Sequence, residues 1–289
     1  MEVVGKMITE EEKAILLRQQ HEYYAFLPAL FEIVKECKNR TIDFLSSKKE
    51  KESFGTRYCY AGTINFLKNH LEALGVSKGN KLINLYRSNA LLSYVPPRFS
   101  YNLHARREKE DYQQFDKDYV SLIIGFDLIF DIDSPKKTME DAYDVAKIVK
   151  AELDSFKVPY IIKPSGYKGF HLICPAEYMP KMPIEKLIKT IWNVLNNFRA
   201  IWFIEDYIDL SITNLKGLIK PCYALDSSFG VVSLPLNDYE FETFSVEKVK
   251  LDYVLKNVIL KNRGNKLHTH GLTEEELKKN MEKFIKEYK

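Results

Sequence analysis

No apolar stretch of the 289-residue chain approaches the roughly 20 residues that a membrane-spanning helix needs. The opening MEVVGKMITEEEK has neither the apolar centre nor the small-residue cleavage site of a secretion signal. The expectation is an intracellular protein with no membrane partner. Cysteine is scarce. Cys37, Cys59, Cys174 and Cys222 lie far apart with no Cys-x-x-Cys pair, which argues against a zinc ribbon and a disulfide framework and predicts reduced, mostly buried thiols. An excess of one charge is missing too, since 43 Lys and Arg face 40 Asp and Glu for a net +3. That excludes a polybasic coat protein and confines any nucleic-acid surface to a local patch. There is no internal repeat and no low-complexity tract. What is present is 45% hydrophobic and 13% aromatic residues, enough for one large core or two small ones.

Residues from Thr9 to about Leu74 read as helical, opened by a capping box of Thr9 and Glu12, with a last helix Tyr60 to Leu74 stopped by Gly75. Past Lys78 the pattern becomes β-like, with short strands expected at Leu82 to Tyr86, Leu91 to Val95 and Val120 to Ile132. Pro96-Pro97 and the charged stretch Arg106 to Asp118 break them. Ala142, Val145, Ala146, Val149, Leu153 and Phe156 recur at helical spacing after Thr138 and Asp141, predicting a helix with one face on a sheet. Strands at Val158 to Lys163 and Gly169 to Cys174 follow, then a helix from Pro183 to about Phe203. Strands at Tyr207 to Thr213 and Val231 to Pro235 come next, and a charged helix capped by Thr273 and Glu276 closes the chain. The order is mixed α+β rather than a βαβ repeat. It divides into a helical region 1–78, a core 79–250 and a helical tail 251–289.

Three runs carry chemistry. In Leu128-Ile-Phe-Asp-Ile-Asp-Ser-Pro, alternation along a strand places Asp127, Asp131 and Asp133 on one face, opposite Leu128, Phe130 and Ile132. Carboxylates so close raise each other's pKa unless a divalent cation neutralises them; the alternative is a strand running into an Asp-Ser-Pro turn. In Lys163-Pro-Ser-Gly-Tyr-Lys-Gly-Phe-His, Gly166 and Gly169 would let backbone N–H groups approach an anion. Lys168 adds a point charge, Ser165 a hydroxyl, and His171 lies on the face of Gly169 and Ile173; the alternative is an ordinary hairpin with a half-buried histidine. In Tyr207-Ile-Asp-Leu-Ser-Ile-Thr, Asp209 would project from the polar face of a strand or stand as a solvated surface residue.

In this order the runs resemble the archaeo-eukaryotic primase superfamily, most closely the catalytic small subunit of DNA primase. The Asp-x-Asp at 131 and 133 is similar to that family's first metal motif, Ser165 to His171 to its Ser-Gly-x-Arg/Lys-Gly-x-His signature, and Ile208-Asp209 to its third motif. Gly217 to Leu236 is similar to the stretch holding a basic residue against the nucleotide triphosphate, here Lys220, and Arg87 is matched to an N-terminal arginine of the family. The resemblance implies an α+β, mixed-sheet primase-polymerase (RRM-like) core with a helical N-terminal region and a C-terminal helix. It further implies two Mg²⁺ or Mn²⁺ ions on Asp131, Asp133 and Asp209, and a triphosphate held by Ser165, Gly166, Lys168, His171, Lys220 and Arg87. Implied partners are single-stranded DNA template, NTPs or dNTPs, and a primase large subunit or replicative helicase, in the cytoplasm or at the nucleoid. No zinc site is expected, because the interval from Asp133 to Ser165 lacks cysteine. In this the chain looks more like the compact primase-polymerases of plasmids and viruses or the polymerase domains of bacterial end-joining ligases. It departs from small subunits at Asp226 and Ser228, where they carry a histidine and a lysine.

The three runs together are a parts list for two-metal phosphoryl or nucleotidyl transfer, and the resemblance implies that the transfer is template-directed. Template would lie on basic and aromatic side chains such as Arg98, Arg106, Arg107 and Lys109 with Phe99, Tyr101 and Tyr112. The rivals are a metal-dependent nuclease, which needs no triphosphate grip, a nucleic-acid-binding accessory subunit with a decayed site, and a glycosidase, which has no use for Lys168 or Lys220.

Overall fold

The computed structural model describes residues 9–25, 27–46, 55–60, 63–73, 82–95, 117–166, 168–258, 264 and 266–289. The architecture is α+β. A three-stranded antiparallel sheet of order β6-β8-β7 uses Leu128–Asp133 (β6), Gly169–Cys174 (β8) and Ile161–Pro164 (β7). Alternation decides what each face does. Phe130, Ile132, Ile162, Phe170 and Leu172 are all fully buried; Phe130 meets Phe198 at 4.9 Å between ring centroids and Phe284 at 6.4 Å. Those partners come from helices Ile184–Ile201 and Glu274–Tyr288, which with Met139–Phe156 cover this side of the sheet. The opposite face carries Ile129, Ile161 and Ile173 at one end and the polar side chains Asp131, Lys163 and His171 towards the other.

The helix Met139–Phe156 begins where the sequence predicts. Thr138 Oγ1 accepts from Asp141 N, the apolar positions Ala142, Val145, Ala146, Val149 and Leu153 are buried, and Lys157 in the left-handed conformation ends it. The closing helix starts with the expected capping box of Thr273 and Glu276. No helix among the described residues is long and apolar enough to cross a membrane. Cys37, Cys174 and Cys222 are buried free thiols.

The N-terminal region is not wholly helical. Helices Glu10–Ala25, Leu27–Glu36 and Ile64–Ala73 are interrupted by strands Thr41–Ser46 (β1) and Gly55–Tyr60 (β2). Ile42 and Phe44 alternate into the core, so β propensity in a half-buried sheet overrides the helical reading. β1 pairs with Ile83–Ser88 (β3), and β3 with Leu218–Ile219 (β9), giving the order β2-β1-β3-β9. This sheet crosses the boundary drawn near residue 78. Tyr23 and Tyr24 likewise sit in the core, their hydroxyls bonded to Tyr223 O and Leu225 N.

Other strands are shorter than their patterns suggest. Ala90–Leu92 (β4) pairs with Ile123–Phe126 (β5), and the expected run Val120 to Ile132 is split at Asp127, whose N–H leaves for Asn89 O. Leu225–Asp226 (β10) and Val231–Val232 (β11) form a two-residue ladder. The expected strand Tyr207 to Thr213 is a turn apart from one bridge, Ile132 to Ile208. The Asp209 carboxylate takes Ser211 N at 2.7 Å and Ser211 Oγ at 2.9 Å, a local alternative to the ladder.

Candidate active site

Strand register assembles the polar face as a row. In β8, His171 stands opposite Asp131 of β6 on one side and Lys163 of β7 on the other. Beyond β6, the Ile132–Ile208 bridge is flanked by Asp209 N donating to Asp131 O at 2.9 Å and Asp133 N donating to Tyr207 O at 2.8 Å. This puts Asp209 opposite Asp131. Residues directly opposite share a face, so Lys163, His171, Asp131 and Asp209 follow one another across it. The His171 Nε2 atom lies 3.2 Å from Asp131 Oδ1, and Nδ1 lies 2.9 Å from Lys163 Nζ.

The turn between β7 and β8 closes over the end of this row. Ser165 N donates to Gly169 O at 3.0 Å and Ser134 N to Lys168 O at 3.0 Å, which holds the turn against Asp133. A Cβ on Gly169 would lie 2.0 Å from Ile132 O and 2.8 Å from Asp133 Oδ1. Gly169→Ala is therefore expected to part the ends of β6 and β8 at a cost of roughly 1–3 kcal/mol, as overpacking does, and to displace Asp133. A urea midpoint and turnover equal to wild type would contradict this contact.

Burial, and then the facing Asp209, push the Asp131 carboxyl up to about 7; the ammonium groups of Lys163, Lys168 and Lys220 oppose this without cancelling it. Burial also lowers the Lys163 ammonium to about 8 and holds His171 well below its usual range, where the adjacent Lys163 adds to the effect. His171 is thus a neutral imidazole. Burial disfavours the Lys220 ammonium, but Asp226 and Tyr86 outweigh it and its pKa is raised.

Lys168 and Lys220 are each matched with a carboxylate. Lys168 Nζ is ion-paired with Asp133, and Lys220 Nζ lies 3.0 Å from Asp226 Oδ2 and above the Tyr86 ring. Asp226 also takes Ser228 N at 3.0 Å and stands 2.5 Å from where a Cβ of Gly166 would be. Gly166, Lys168 and Lys220 thus lie about the turn with two of the protein's own carboxylates, Asp133 and Asp226, on the ammonium groups. With Asp133 turned to Lys168 and Asp209 to Ser211, no three His, Cys, Asp or Glu side chains among the described residues converge as arranged on one ion. The donor set is nonetheless all hard oxygen, which suits Mg²⁺ or Mn²⁺, and the raised Asp131 carboxyl is the group a cation would stabilise.

One expectation is corrected. Asp127 does not join Asp131 and Asp133. Sitting at the break before β6 and 1% exposed, it receives Arg40 Nη2 at 2.7 Å, Arg87 Nη1 at 2.9 Å and Ala176 N at 2.9 Å. Arg87 is likewise committed, since its Nε donates to Glu36 Oε1 at 2.8 Å. Burial disfavours the Arg87 charge, but Asp127 and Glu36 more than compensate and raise its pKa. Its Nη1 also donates to Ser88 O at 3.0 Å, so Nε and Nη1 are both bound within the protein. Arg98, Arg106, Arg107, Lys109, Phe99, Tyr101 and Tyr112 lie outside the described residues. What the sequence reading passed over is Lys163, fully buried; a lysine following Ile161 and Ile162 in an apolar strand was the available signal.

Residues 120–198 match the family model for the LigD primase-polymerase domain, a span that includes Asp131, Asp133, Ser165, Lys168 and His171. Over this segment the chain is similar to primase-polymerase domains. Within the matched segment lie β6, β7, β8 and the helix Met139–Phe156, whereas Asp209, Lys220 and Asp226 come from chain beyond it. Among solved structures, the polymerase domain from Mycobacterium tuberculosis Ligase D in complex with DNA aligns at 12% identity and a TM-score of 0.49, over 82% of this chain and 88% of that one. No curated protein matches the chain.

Proposed function

We propose that the protein is a template-directed nucleotidyltransferase, a DNA primase or primase-polymerase that makes or extends primers on single-stranded DNA from NTPs or dNTPs. The observation that carries this reading is the placement of Asp209 opposite Asp131, beside Asp133, a turn bearing Ser165 and Lys168, and His171 on the strand that follows it. Paired carboxylates next to fixed cations are what phosphoryl transfer needs, because its chemistry rests on positioning and charge neutralisation. Asp131, Asp133 and Asp209 would hold two divalent cations. When bound, these supply Lewis-acid stabilisation of the transferring phosphate and lower the pKa of the attacking 3′-hydroxyl.

The chain's own residues do the rest. Lys168 exchanges the Asp133 carboxylate for a phosphate oxygen, so that cation and nucleotide engage the site together. Lys220 does the same with Asp226, keeping its charge on the Tyr86 face. Ser165 and the backbone at Gly166 lie at the turn over both lysines and orient the triphosphate. His171, a neutral imidazole, holds the Asp131 carboxylate through Nε2. The self-paired lysines are what an accessory, non-catalytic subunit would also display, and that is the second reading.

The deciding experiment combines purified protein, Mn²⁺ or Mg²⁺, single-stranded template and labelled NTPs or dNTPs, with and without primer, beside the Asp131→Ala/Asp133→Ala double variant. Products of increasing length from wild type alone are expected. Growth without primer makes the protein a primase. Template binding with no product from either protein would replace this reading with the accessory one.

A further inference from the structure

The buried Lys163 is engaged by none of the roles above, yet each of its three N–H bonds has a partner. Lys220 O lies at 2.8 Å and can only accept. Ser233 Oγ lies at 2.9 Å, and its single hydrogen is committed to Pro164 O at 2.6 Å, so towards Lys163 it also accepts. The remaining N–H points at His171 Nδ1, 2.9 Å away. A nitrogen that accepts from an ammonium carries no proton of its own. A neutral imidazole so held has its hydrogen on Nε2, the atom 3.2 Å from Asp131 Oδ1.

We infer that Lys163 is a positioning residue that locks His171 in the Nε2–H tautomer and so fixes the Asp131 carboxylate for the reaction. The inference builds on the proposed function for its consequence, whereas the lock itself stands on the geometry of three strands. Lys163, His171 and Asp131 are cross-strand neighbours in register, and partners of this kind orient a ligating group and set its tautomer. The arrangement also explains an otherwise costly choice, an ammonium 0% exposed, because every one of its protons is used. A methionine of similar length would fill the same space and make none of these bonds.

The test is a long-range ¹H–¹⁵N correlation spectrum of metal-free protein at neutral pH, with His171 assigned by its loss in His171→Gln. Wild type is expected to show one tautomer with the proton on Nε2 and Nδ1 as a hydrogen-bonded acceptor. Asp131→Ala removes the acceptor at Nε2, so only Lys163 then selects the tautomer, and the same single form is expected. Asp131→Ala/Lys163→Met should show both tautomers. A proton on Nδ1 in wild type, or mixed tautomers in Asp131→Ala while Lys163 is intact, overturns the lock; these two arms decide it even if Lys163→Met does not fold. In turnover, Lys163→Met is expected to lose about tenfold in kcat/KM and to cost nothing further in a His171→Gln background. A full additional loss there would mean that Lys163 acts apart from His171. Should wild type make no product while the spectra come out as expected, the proposed function fails and the lock remains.

Discussion

Metal-free Asp131→Asn is expected to be at least as stable as wild type at pH 8 while losing about a thousandfold in turnover, the scale of removing one group that meets developing charge. The Asp131 carboxyl titrates near 7 in the folded protein against an ordinary value of 3.8. Between roughly pH 4 and pH 7 the folded state keeps a proton that the unfolded chain has released. Wild-type stability therefore falls as pH rises through that window, by on the order of a few kcal/mol, and levels off above it. Asparagine, the isostere of the protonated acid, removes this fall and can still accept from His171 Nε2. Melting curves of both proteins should coincide near pH 4 and separate towards pH 8, with the variant higher. Added Mn²⁺ should raise the wild-type midpoint and leave the variant's unchanged. A variant that melts below wild type at pH 8 without metal would refute the picture of a carboxylate disfavoured by burial and by Asp209.

Asp127, four residues earlier in the same motif, is expected to respond in the opposite way. Asp127→Ala leaves Arg40 without the carboxylate at 2.7 Å and Arg87 with Glu36 alone, both guanidinium groups being buried. Breaking a buried pair by removing one partner costs about 3–5 kcal/mol, a large share of the roughly 5–15 kcal/mol that holds a domain folded. Asp127→Asn keeps the shape but not the charge and should lose most of the same amount. Urea denaturation reads the difference directly. If both variants unfold at the wild-type midpoint and only turnover is lost, Asp127 belongs with the reacting carboxylates after all.

The contrast shows where local pattern stops being informative. Asp127, Asp131 and Asp133 are equivalent by alternation, and nothing within the motif distinguishes the first from the others. The difference is made by Arg40 and Arg87, which β1 and β3 bring in from distant sequence, and by the Ala176 N–H. The same holds for the region before residue 78. Its helices are legible from capping and spacing, but β1 needs β2 and β3 as partners to be a strand at all. Asp209 was legible as a carboxylate with a hydrophobic neighbour. Its extension into a strand failed because the Asp209 carboxylate takes the Ser211 N–H and closes a local turn.

By itself the sequence determined the sheet that carries the site and the helices behind it, because period-two and 3.6-residue patterns specify which face of each element is apolar. It also determined the chemical types at the motif positions, Asp131, Asp133, Ser165, Lys168 and His171, since these lie within one strand or one turn. Tertiary structure alone decided what each charge is paired with: Arg87 with Glu36 and Asp127, Lys220 with Asp226, Lys163 with His171. The physical reason is range. Apolar patterning acts through near neighbours along the chain, whereas a charge withdrawn from water is tolerated only where folding supplies a partner from elsewhere.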